Sequence, residues 1–179
     1  DGEVVWEHFY GSLVDTAAYE FFRVAQVLPY ENDQYLAIAS DVSREHSTVQ
    51  LILTNFSAQG DINWLQEYQI TDRFEDKPPR ANEEFYMLEN NYALGCIATD
   101  GTIYLAFSYD EGRFERVSYA MLKINNNGEM LVRQDFDMKS FYGRVYKMIQ
   151  TSNGNLLLSY GGRDWFELVD YSTDSLKGV

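Results

Sequence analysis

Apolar and polar side chains alternate behind three glycines that lie far apart in the chain. The segments are GEVVW at 2–6, GDINW at 60–64 and GEMLV at 128–132, and an aromatic residue stands eight positions after each glycine, at Tyr10, Tyr68 and Phe136. Apolar residues at every second position predict a strand with one buried face, since successive side chains of a strand point to opposite sides of a sheet. The three segments are therefore copies of one strand.

Three further strands are predicted before each copy. Apolar stretches fall at 24–28, 96–99 and 146–150, then at 35–38, 103–106 and 156–159, and then at 52–56, 120–124 and 167–171. Asn, Asp and Gly separate them, and these residues form hairpin turns because they tolerate positive φ angles. Each repeat thus reads as strands A, B, C and D, with the glycine segment as the outermost strand D. Trp6 and Trp64 hold the same position in two copies and are expected to pack between sheets.

The repeat predicts an all-β fold built of β-propeller blades. Repeats of about 40–50 residues with four antiparallel strands each are typical of propellers. We expect a single domain at 1–179, in which 1–11 is the D strand of a preceding or closing blade. About three blades follow, at 21–70, 92–138 and 144–179.

Three blades cannot surround an axis, since propellers contain about four to eight. A partial or oligomer-completed propeller is therefore expected. Two copies of three blades each would make a six-bladed ring in which the strand at 2–10 completes the last blade. However, 175–179 begins a D strand in that same place, and the chain starts at Asp1 without a methionine. These two observations favour a segment of a longer propeller protein.

The repeat resembles a known kind of propeller sequence. The stretch KINNNG at 123–128 is similar to a motif of lysine, an aliphatic residue, aspartate, two residues and glycine, and the segments at Gly2 and Gly60 carry the tryptophan that follows it. The resemblance is to the divergent β-propeller repeats of bacterial and archaeal surface proteins, which are related in appearance to PQQ-like repeats. It implies a propeller fold and an extracytoplasmic location, that is, secreted, periplasmic or on the cell surface. It implies no catalytic residues.

Charge and cysteine content narrow the classes of function. Lys and Arg number 14 and Asp and Glu number 28, so the formal net charge is −14. Such a surface repels phosphate groups, which argues against binding to nucleic acids and anionic membranes. No apolar run approaches the ~20 residues of a membrane-spanning helix, so no membrane insertion is expected. Cys96 is the only cysteine, which excludes an intrachain disulfide and a cysteine-based zinc site.

The two histidines do not favour an enzyme. His8 aligns with Gln66 and Gln134 of the other copies, so we expect a structural role in satisfying a buried backbone group. His46 falls in a connection between strands B and C and is expected to be solvated. The sequence contains no histidine cluster, no glycine-rich phosphate loop and no dinucleotide motif. We therefore expect no catalytic residues, no metal and no cofactor.

Three other sequence patterns suggest an enzyme active site, a calcium site or a glycosylation site. A glycosidase needs two carboxylates about 5–9.5 Å apart. One region is rich enough in acids to supply them: Asp72, Glu75, Asp76, Glu83 and Glu84. The sequence NNNGE at 125–129 faintly resembles a calcium loop, in which Asp and Asn ligands alternate around a turn glycine. Asn55-Phe56-Ser57 matches an N-glycosylation pattern, which we interpret as a coincidence.

A binding surface is predicted where strands B and C connect. Tyr, Trp and Arg dominate recognition surfaces, and propellers build one face of the ring from the B–C and D–A loops. These residue types occur in two equivalent connections, at Tyr109, Arg113 and Arg116 and at Arg163, Asp164 and Trp165. A non-catalytic scaffold that binds a protein partner is the first interpretation. A carbohydrate-binding or carbohydrate-active propeller is the alternative, which the acidic, tyrosine-rich composition favours.

Overall fold

The computed structural model describes residues 23–43, 48–71, 92–110, 117–137, 144–161, 166–173 and 176. Sheet 1 contains β1 (Arg23–Tyr30), β2 (Gln34–Ser43), β3 (Thr48–Ser57) and β4 (Ile62–Thr71). Sheet 2 contains β5 (Tyr92–Ile97), β6 (Ile103–Asp110), β7 (Val117–Ile124) and β8 (Met130–Asp137). Sheet 3 contains β9 (Arg144–Gln150), β10 (Leu156–Gly161) and β11 (Phe166–Tyr171). The described residues include no helix, and so none that could span a membrane.

Strands that are adjacent in the chain are adjacent in each sheet and run antiparallel. The prediction of an all-β, antiparallel fold is confirmed for the described residues. The strands β4 and β8, which follow Gly60 and Gly128, lie at the sheet edges as predicted. Sheet 3 has three strands among the described residues. The strand predicted at 1–11 lies outside the described residues, as does the one predicted from 175 onward, apart from Leu176.

Strand A of the second repeat differs from its prediction. The apolar stretch 96–99 suggested a strand there, but β5 spans Tyr92–Ile97 and the chain turns from residue 98. The amide of Ala98 donates to the carbonyl of Thr102 at 2.8 Å, which closes the hairpin. The apolar stretch therefore marked the end of the strand, and the turn chemistry of Asp100 and Gly101 decided the boundary.

Four turns at one end of the sheets have the same structure, and they occupy residues 57–61, 98–102, 125–129 and 151–155. The amide of the fourth residue, a glycine, donates to the carbonyl of the first, and the amide of the first donates to the carbonyl of the fifth. The four glycines have φ angles between 82° and 89°, which place them in the left-handed region. The A–B turn of sheet 1 instead uses Asn32 and Asp33, at φ angles of 53° and 59°. The predicted turn residues thus adopt the backbone that they favour.

Buried apolar side chains form one layer between sheets 1 and 2 and another between sheets 2 and 3. Along β6, Ile103, Leu105 and Phe107 face sheet 1, and Tyr104 and Ala106 face sheet 3. Sheet 2 is thus covered on both faces, and this explains why its central strands are apolar at nearly every position. The first layer contains Leu36, Ile38, Leu51, Leu53, Tyr68, Ile70, Ala93, Ile103, Leu105, Phe107, Ala120, Leu122 and Ile124.

The three A strands lie side by side, β1 next to β5 and β5 next to β9. The backbone of sheet 2 approaches sheet 1 closely at Gly95. A Cβ atom added there would lie 2.5 Å from Cδ1 of Ile38, so only glycine fits without movement. The amide of Gly95 donates to Oε1 of Gln26 at 2.8 Å. Neighbouring sheets are therefore joined by hydrogen bonds as well as by apolar contacts where their A strands meet.

The outer faces of sheets 1 and 3 expose apolar side chains at some positions that are buried between sheets, whereas Ala39 and Ile52 on the outer face of sheet 1 are buried. On sheet 3, Leu168 is 57% exposed, whereas Leu53 and Met121, at the same repeat position in sheets 1 and 2, are fully buried. On sheet 1, Tyr35 is 38% exposed, whereas its equivalents Ile103 and Leu156 are fully buried. Each end of the array thus presents apolar side chains of the kind that a neighbouring sheet covers inside it.

Candidate binding surface

The connections that carry the predicted binding residues leave the same end of sheets 2 and 3. The β6–β7 pairing continues to Asp110 opposite Val117, and the β10–β11 pairing continues to Gly161 opposite Phe166. The connections 111–116 and 162–165 therefore leave the same end of their sheets, with β6 and β7 paired for two residues more than β10 and β11. In sheet 1, β2 and β3 pair as far as Ser43 opposite Thr48, so the connection 44–47 leaves at that end too.

Of the six predicted binding residues, only Tyr109 is described. It lies in strand β6, opposite Ser118, and not in the B–C connection as predicted, because β6 and β7 remain paired up to Asp110. Five lie outside the described residues: Arg113, Arg116, Arg163, Asp164 and Trp165. The structure thus places the strands from which these residues follow, and their position in the binding surface stays a prediction.

Aromatic rings join sheets 2 and 3 beneath these connections. Tyr119, opposite Ser108 in β6, and Tyr160, next to the last pair of sheet 3, have ring centroids 5.4 Å apart. Tyr119 also stacks on Phe136 at 4.7 Å and 11°, and Phe136 meets Tyr171 edge-on at 5.4 Å. Such aromatic pairs each contribute about 0.5–1.5 kcal/mol beyond their burial. The contact between Tyr119 and Tyr160 therefore forms one packed base for the B–C ends of sheets 2 and 3, whereas Tyr171, opposite Leu156, lies toward the other end of sheet 3.

The opposite end of the sheets is acidic and internally hydrogen-bonded. In the turn at 125–129, Oδ1 of Asn125 accepts the amides of Asn127 and Glu129 at 3.0 and 2.9 Å. Its Nδ2 donates to Oε2 of Glu129 at 2.7 Å. These bonds occupy Oδ1 of Asn125 and Oε2 of Glu129, two of the oxygens that a calcium loop would turn toward its ion. Among the described residues no group of three His, Cys, Asp or Glu side chains is placed to hold a metal.

Four side chains have clearly perturbed acidity, and one of them is Tyr30, whose hydroxyl pKa is raised by burial and by the neighbouring Glu31. Burial raises the pKa of the Cys96 thiol to about 11, and a hydrogen bond with the backbone of Gln150 offsets part of this effect. Burial also raises the pKa of the Tyr68 hydroxyl well above its ordinary value. The backbone amide of Thr102 lowers the pKa of Asp100 by donating to its carboxylate. At neutral pH the thiol and the two phenols thus stay protonated and Asp100 stays ionised.

The position of His8 can be judged from its equivalents. Gln66 is exposed, and Nε2 of Gln134 donates to the carbonyl of Asp135 in a bond open to solvent. The prediction that this position satisfies buried backbone groups is wrong for these two residues, because both lie on edge strands whose faces are only partly covered. His8 and His46 lie outside the described residues. The acidic residues considered for a glycosidase, Asp72, Glu75, Asp76, Glu83 and Glu84, also lie outside them.

The structure explains the glycosylation pattern at Asn55. This side chain is fully buried, its Oδ1 accepts from Nδ2 of Asn63 at 2.7 Å, and its Nδ2 donates to the carbonyl of Tyr35 at 3.5 Å. A buried, paired amide cannot accept a glycan in the folded protein, which agrees with our interpretation of a coincidence. Lys123 holds the same repeat position in sheet 2, and its Nζ donates to the carbonyl of Thr173 at 3.0 Å.

Sequence reasoning did not identify two tyrosines that connect adjacent sheets. The hydroxyl of Tyr30 in sheet 1 donates to the carbonyl of Gly101 in sheet 2 at 3.2 Å, and the hydroxyl of Tyr68 donates to the carbonyl of Gly128. The aromatic at Tyr68 was visible in the repeat, but its partner lies 60 residues away. A repeat pattern shows which positions are equivalent and does not show which backbone group a hydroxyl reaches.

Comparisons with protein-family models, with curated proteins and with solved structures found no match. The resemblance to divergent propeller repeats therefore stays a prediction.

Proposed function

We propose that the three sheets are consecutive blades of a β-propeller and that the protein is a non-catalytic binding scaffold. Support for the blades comes from the arrangement of the sheets. They stack face to face in sequence order, and their first strands lie side by side, which is where propeller blades converge on an axis. The resemblance of the repeat to surface-protein propellers supports an extracytoplasmic location.

The exposed end faces support completion of the ring by further sheets. Inside the array, the position of Leu168 is covered by the next sheet, and the position of Tyr35 is covered by the preceding one. Terminal repeats of stacked proteins need capping for the same reason. The further blades would come from a second copy or from a longer chain.

Association of the isolated protein tests this architecture. We expect light scattering to show concentration-dependent association that Leu168→Glu abolishes, since a charge cannot be buried against an apolar sheet without large cost. Leu131→Glu is the matched control, because Leu131 is 54% exposed on edge strand β8. The proposal would be refuted by a protein that stays monomeric at all concentrations and whose stability neither Leu168→Glu nor Tyr35→Glu changes.

One observation carries the binding function. The connections 111–116 and 162–165 leave the same end of two sheets that share an aromatic base at Tyr119 and Tyr160. This base supports a shared surface for Tyr109, Arg113, Arg116, Arg163, Asp164 and Trp165. Arg and Trp are enriched among the residues that supply most of the energy of protein interfaces. We therefore propose a protein as the ligand, with a glycan as the alternative outcome of the test.

Variants at the two ends of the sheets test the location of the surface. Arg163→Ala/Trp165→Ala changes the proposed surface, and Gln59→Ala/Asn126→Ala changes exposed turn residues at the opposite end. We expect proteins captured by the unaltered protein to be retained by the second variant and reduced about tenfold or more on the first. Equal capture by the unaltered protein and by both variants would refute the proposed location of the binding surface. A glycan array at several pH values, on which only the first variant loses binding, would establish the carbohydrate alternative.

A further inference from the structure

Two asparagine–glycine sequences lie in turns that have the same backbone hydrogen bonds. Asn127 and Gly128 are the third and fourth residues of the C–D turn of sheet 2, and Asn153 and Gly154 hold the same places in the A–B turn of sheet 3. Asparagine is among the chemically labile residues, and a following glycine leaves its own amide nitrogen unhindered. The protein therefore offers the same reactive pair twice, in two different surroundings.

The reaction at such a pair needs only water. The glycine nitrogen attacks Cγ of the asparagine and forms a new bond to it, while the bond between Cγ and Nδ2 breaks. Ammonia leaves with the proton that the glycine nitrogen loses. Water then opens the cyclic imide to aspartate or isoaspartate. In both turns the glycine amide is held by the first residue, at 3.1 Å from the carbonyl of Asn125 and 2.9 Å from that of Thr151, so the turn must open before attack.

Contacts with sheet 1 hold the turn of sheet 2 closed. The hydroxyl of Tyr68 donates to the carbonyl of Gly128, which is buried. A Cβ atom added to Gly128 would lie 2.6 Å from Cγ of Gln66 and 3.2 Å from the Trp64 ring. Rotation of this glycine toward the side chain of Asn127 therefore requires movement of a neighbouring sheet.

Among the residues that the structure describes, the turn of sheet 3 has a link to a neighbouring sheet that is open to solvent: Oε1 of Gln150 accepts the amide of Thr99 in sheet 2 at 3.4 Å. A Cβ atom added to Gly154 meets nothing within 4 Å, and the carbonyl of Gly154 accepts from its own hairpin, from Nε2 of Gln150 at 3.3 Å. The repeat explains the difference. Tyr30 of sheet 1 reaches the turn glycine Gly101 of sheet 2, but Ala98 stands at the position of Tyr30 in sheet 2. Sheet 2 thus has no hydroxyl at the place from which Tyr30 reaches its neighbour.

The side chain of Asn153 is bonded inside its own turn. Its Oδ1 accepts from the hydroxyl of Thr151 and from the amide of Asn155. Both partners move with the turn when it opens. These bonds therefore slow the attack less than a contact with another sheet does.

We propose that Asn153 is a site of spontaneous deamidation in the folded protein and that Tyr68 protects Asn127 from the same reaction. The product adds a negative charge beside Asn155, whose Nδ2 donates to Oδ2 of Asp170 at 3.3 Å. The isoaspartate form also lengthens the backbone of the A–B turn by one carbon. Ageing of the protein would thus change the charge and the turn geometry of sheet 3.

Peptide mapping by mass spectrometry tests the proposal in one sample. The protein is incubated at mildly alkaline pH, and deamidation at residues 127 and 153 is quantified over time, with Asn153→Asp as the charge standard for the product. We expect residue 153 to react on the order of tenfold faster than residue 127 in the native state, because the opening of the two turns differs in free energy. In denaturant the two rates should become similar.

Tyr68→Phe tests the protection separately. It keeps the ring and removes the hydroxyl, and we expect it to raise the native rate at residue 127 while leaving residue 153 unchanged. Equal native rates at the two sites in the unaltered protein, or a faster reaction at 127, would overturn the proposal. An unchanged rate at 127 in a folded Tyr68→Phe variant would overturn the role of Tyr68. The comparison within the unaltered protein does not depend on whether this variant folds.

Discussion

The layer between sheets 1 and 2 and the layer between sheets 2 and 3 are built from different side chains. The first is mainly aliphatic, with Phe107 as its largest fully buried side chain. The second contains three buried tyrosines, Tyr104, Tyr119 and Tyr171, and two hydroxyls of this group bond to each other. Aliphatic packing depends on volume alone, whereas tyrosines need both packing and a polar partner. The same repeat thus tolerates two kinds of interface.

The largest effect should come from removing volume in the aliphatic layer. Phe107→Ala is expected to lower the free energy of unfolding by about 3–5 kcal/mol, because the residue is fully buried and a cavity would remain. Urea denaturation measures it. Leu131→Ala, at a 54% exposed position, should change stability by less than about 0.5 kcal/mol. A Phe107→Ala loss no larger than that of this control would show that the layer is not a core.

Two turn glycines differ in their contacts with a neighbouring sheet, and substituting each of them by alanine measures that difference. Gly128→Ala is expected to cost about 1–3 kcal/mol, since it combines a φ angle of 83° with contact against Gln66 and Trp64. Gly154→Ala meets only the backbone strain, at a φ angle of 88°, and should cost less. Thermal unfolding of both variants under one condition measures the difference. Equal losses would mean that the contacts of Gly128 with sheet 1 contribute nothing.

The hydroxyl pair of the aromatic layer should give a smaller, non-additive effect. Tyr119→Phe and Tyr171→Phe each remove one side of the bond between the two hydroxyls. We expect the double variant to be less destabilised than the sum of the single variants, by about 0.5–1.5 kcal/mol. A double-mutant cycle from denaturant unfolding measures this coupling. Strict additivity would show that the hydroxyls do not interact.

The smallest effect at neutral pH concerns Cys96, which packs against the aromatic layer. The folded state raises the pKa of its thiol to about 11, above the ~8.5 of an unfolded chain. The contribution of the protonated Cys96 thiol to stability is therefore complete below about pH 8.5 and is lost as pH rises toward 11. We expect Cys96→Ala to weaken this alkaline loss of stability. A thiol reagent at pH 8 should react slowly with native protein and rapidly in denaturant, and fast native labelling would contradict the burial.

Much of the fold can be predicted from the amino-acid sequence. Alternation and turn residues located all eleven described strands, and the glycine slots predicted the edge strands β4 and β8. The errors have physical causes. The sequence predicts a strand at 96–99 because apolar side chains continue into a turn, and it predicts Tyr109 in a connection because strand pairing continues past the repeat pattern.

The candidate binding surface was predictable only as a set of residue types. Tyr, Arg and Trp in two equivalent connections indicate recognition, but the sequence shows neither which ends of the sheets adjoin nor what lies beneath. The pairing of the strands and the contact between Tyr119 and Tyr160 supply that base. The predicted residues themselves, apart from Tyr109, fall outside the part of the protein that the structure describes.

Local rules account for what the sequence determined by itself. Strand faces, hairpin turns and glycine positions depend on neighbours within a few residues, so they can be predicted from the local sequence. Only the tertiary structure decided that Tyr68 holds Gly128, that Gln26 holds Gly95, and that Gly154 is held by Gln150 of its own hairpin and packs against no neighbouring sheet within the described residues. These differences arise because two equivalent turns meet different neighbouring sheets, and a repeated sequence carries no information about what stands opposite each copy.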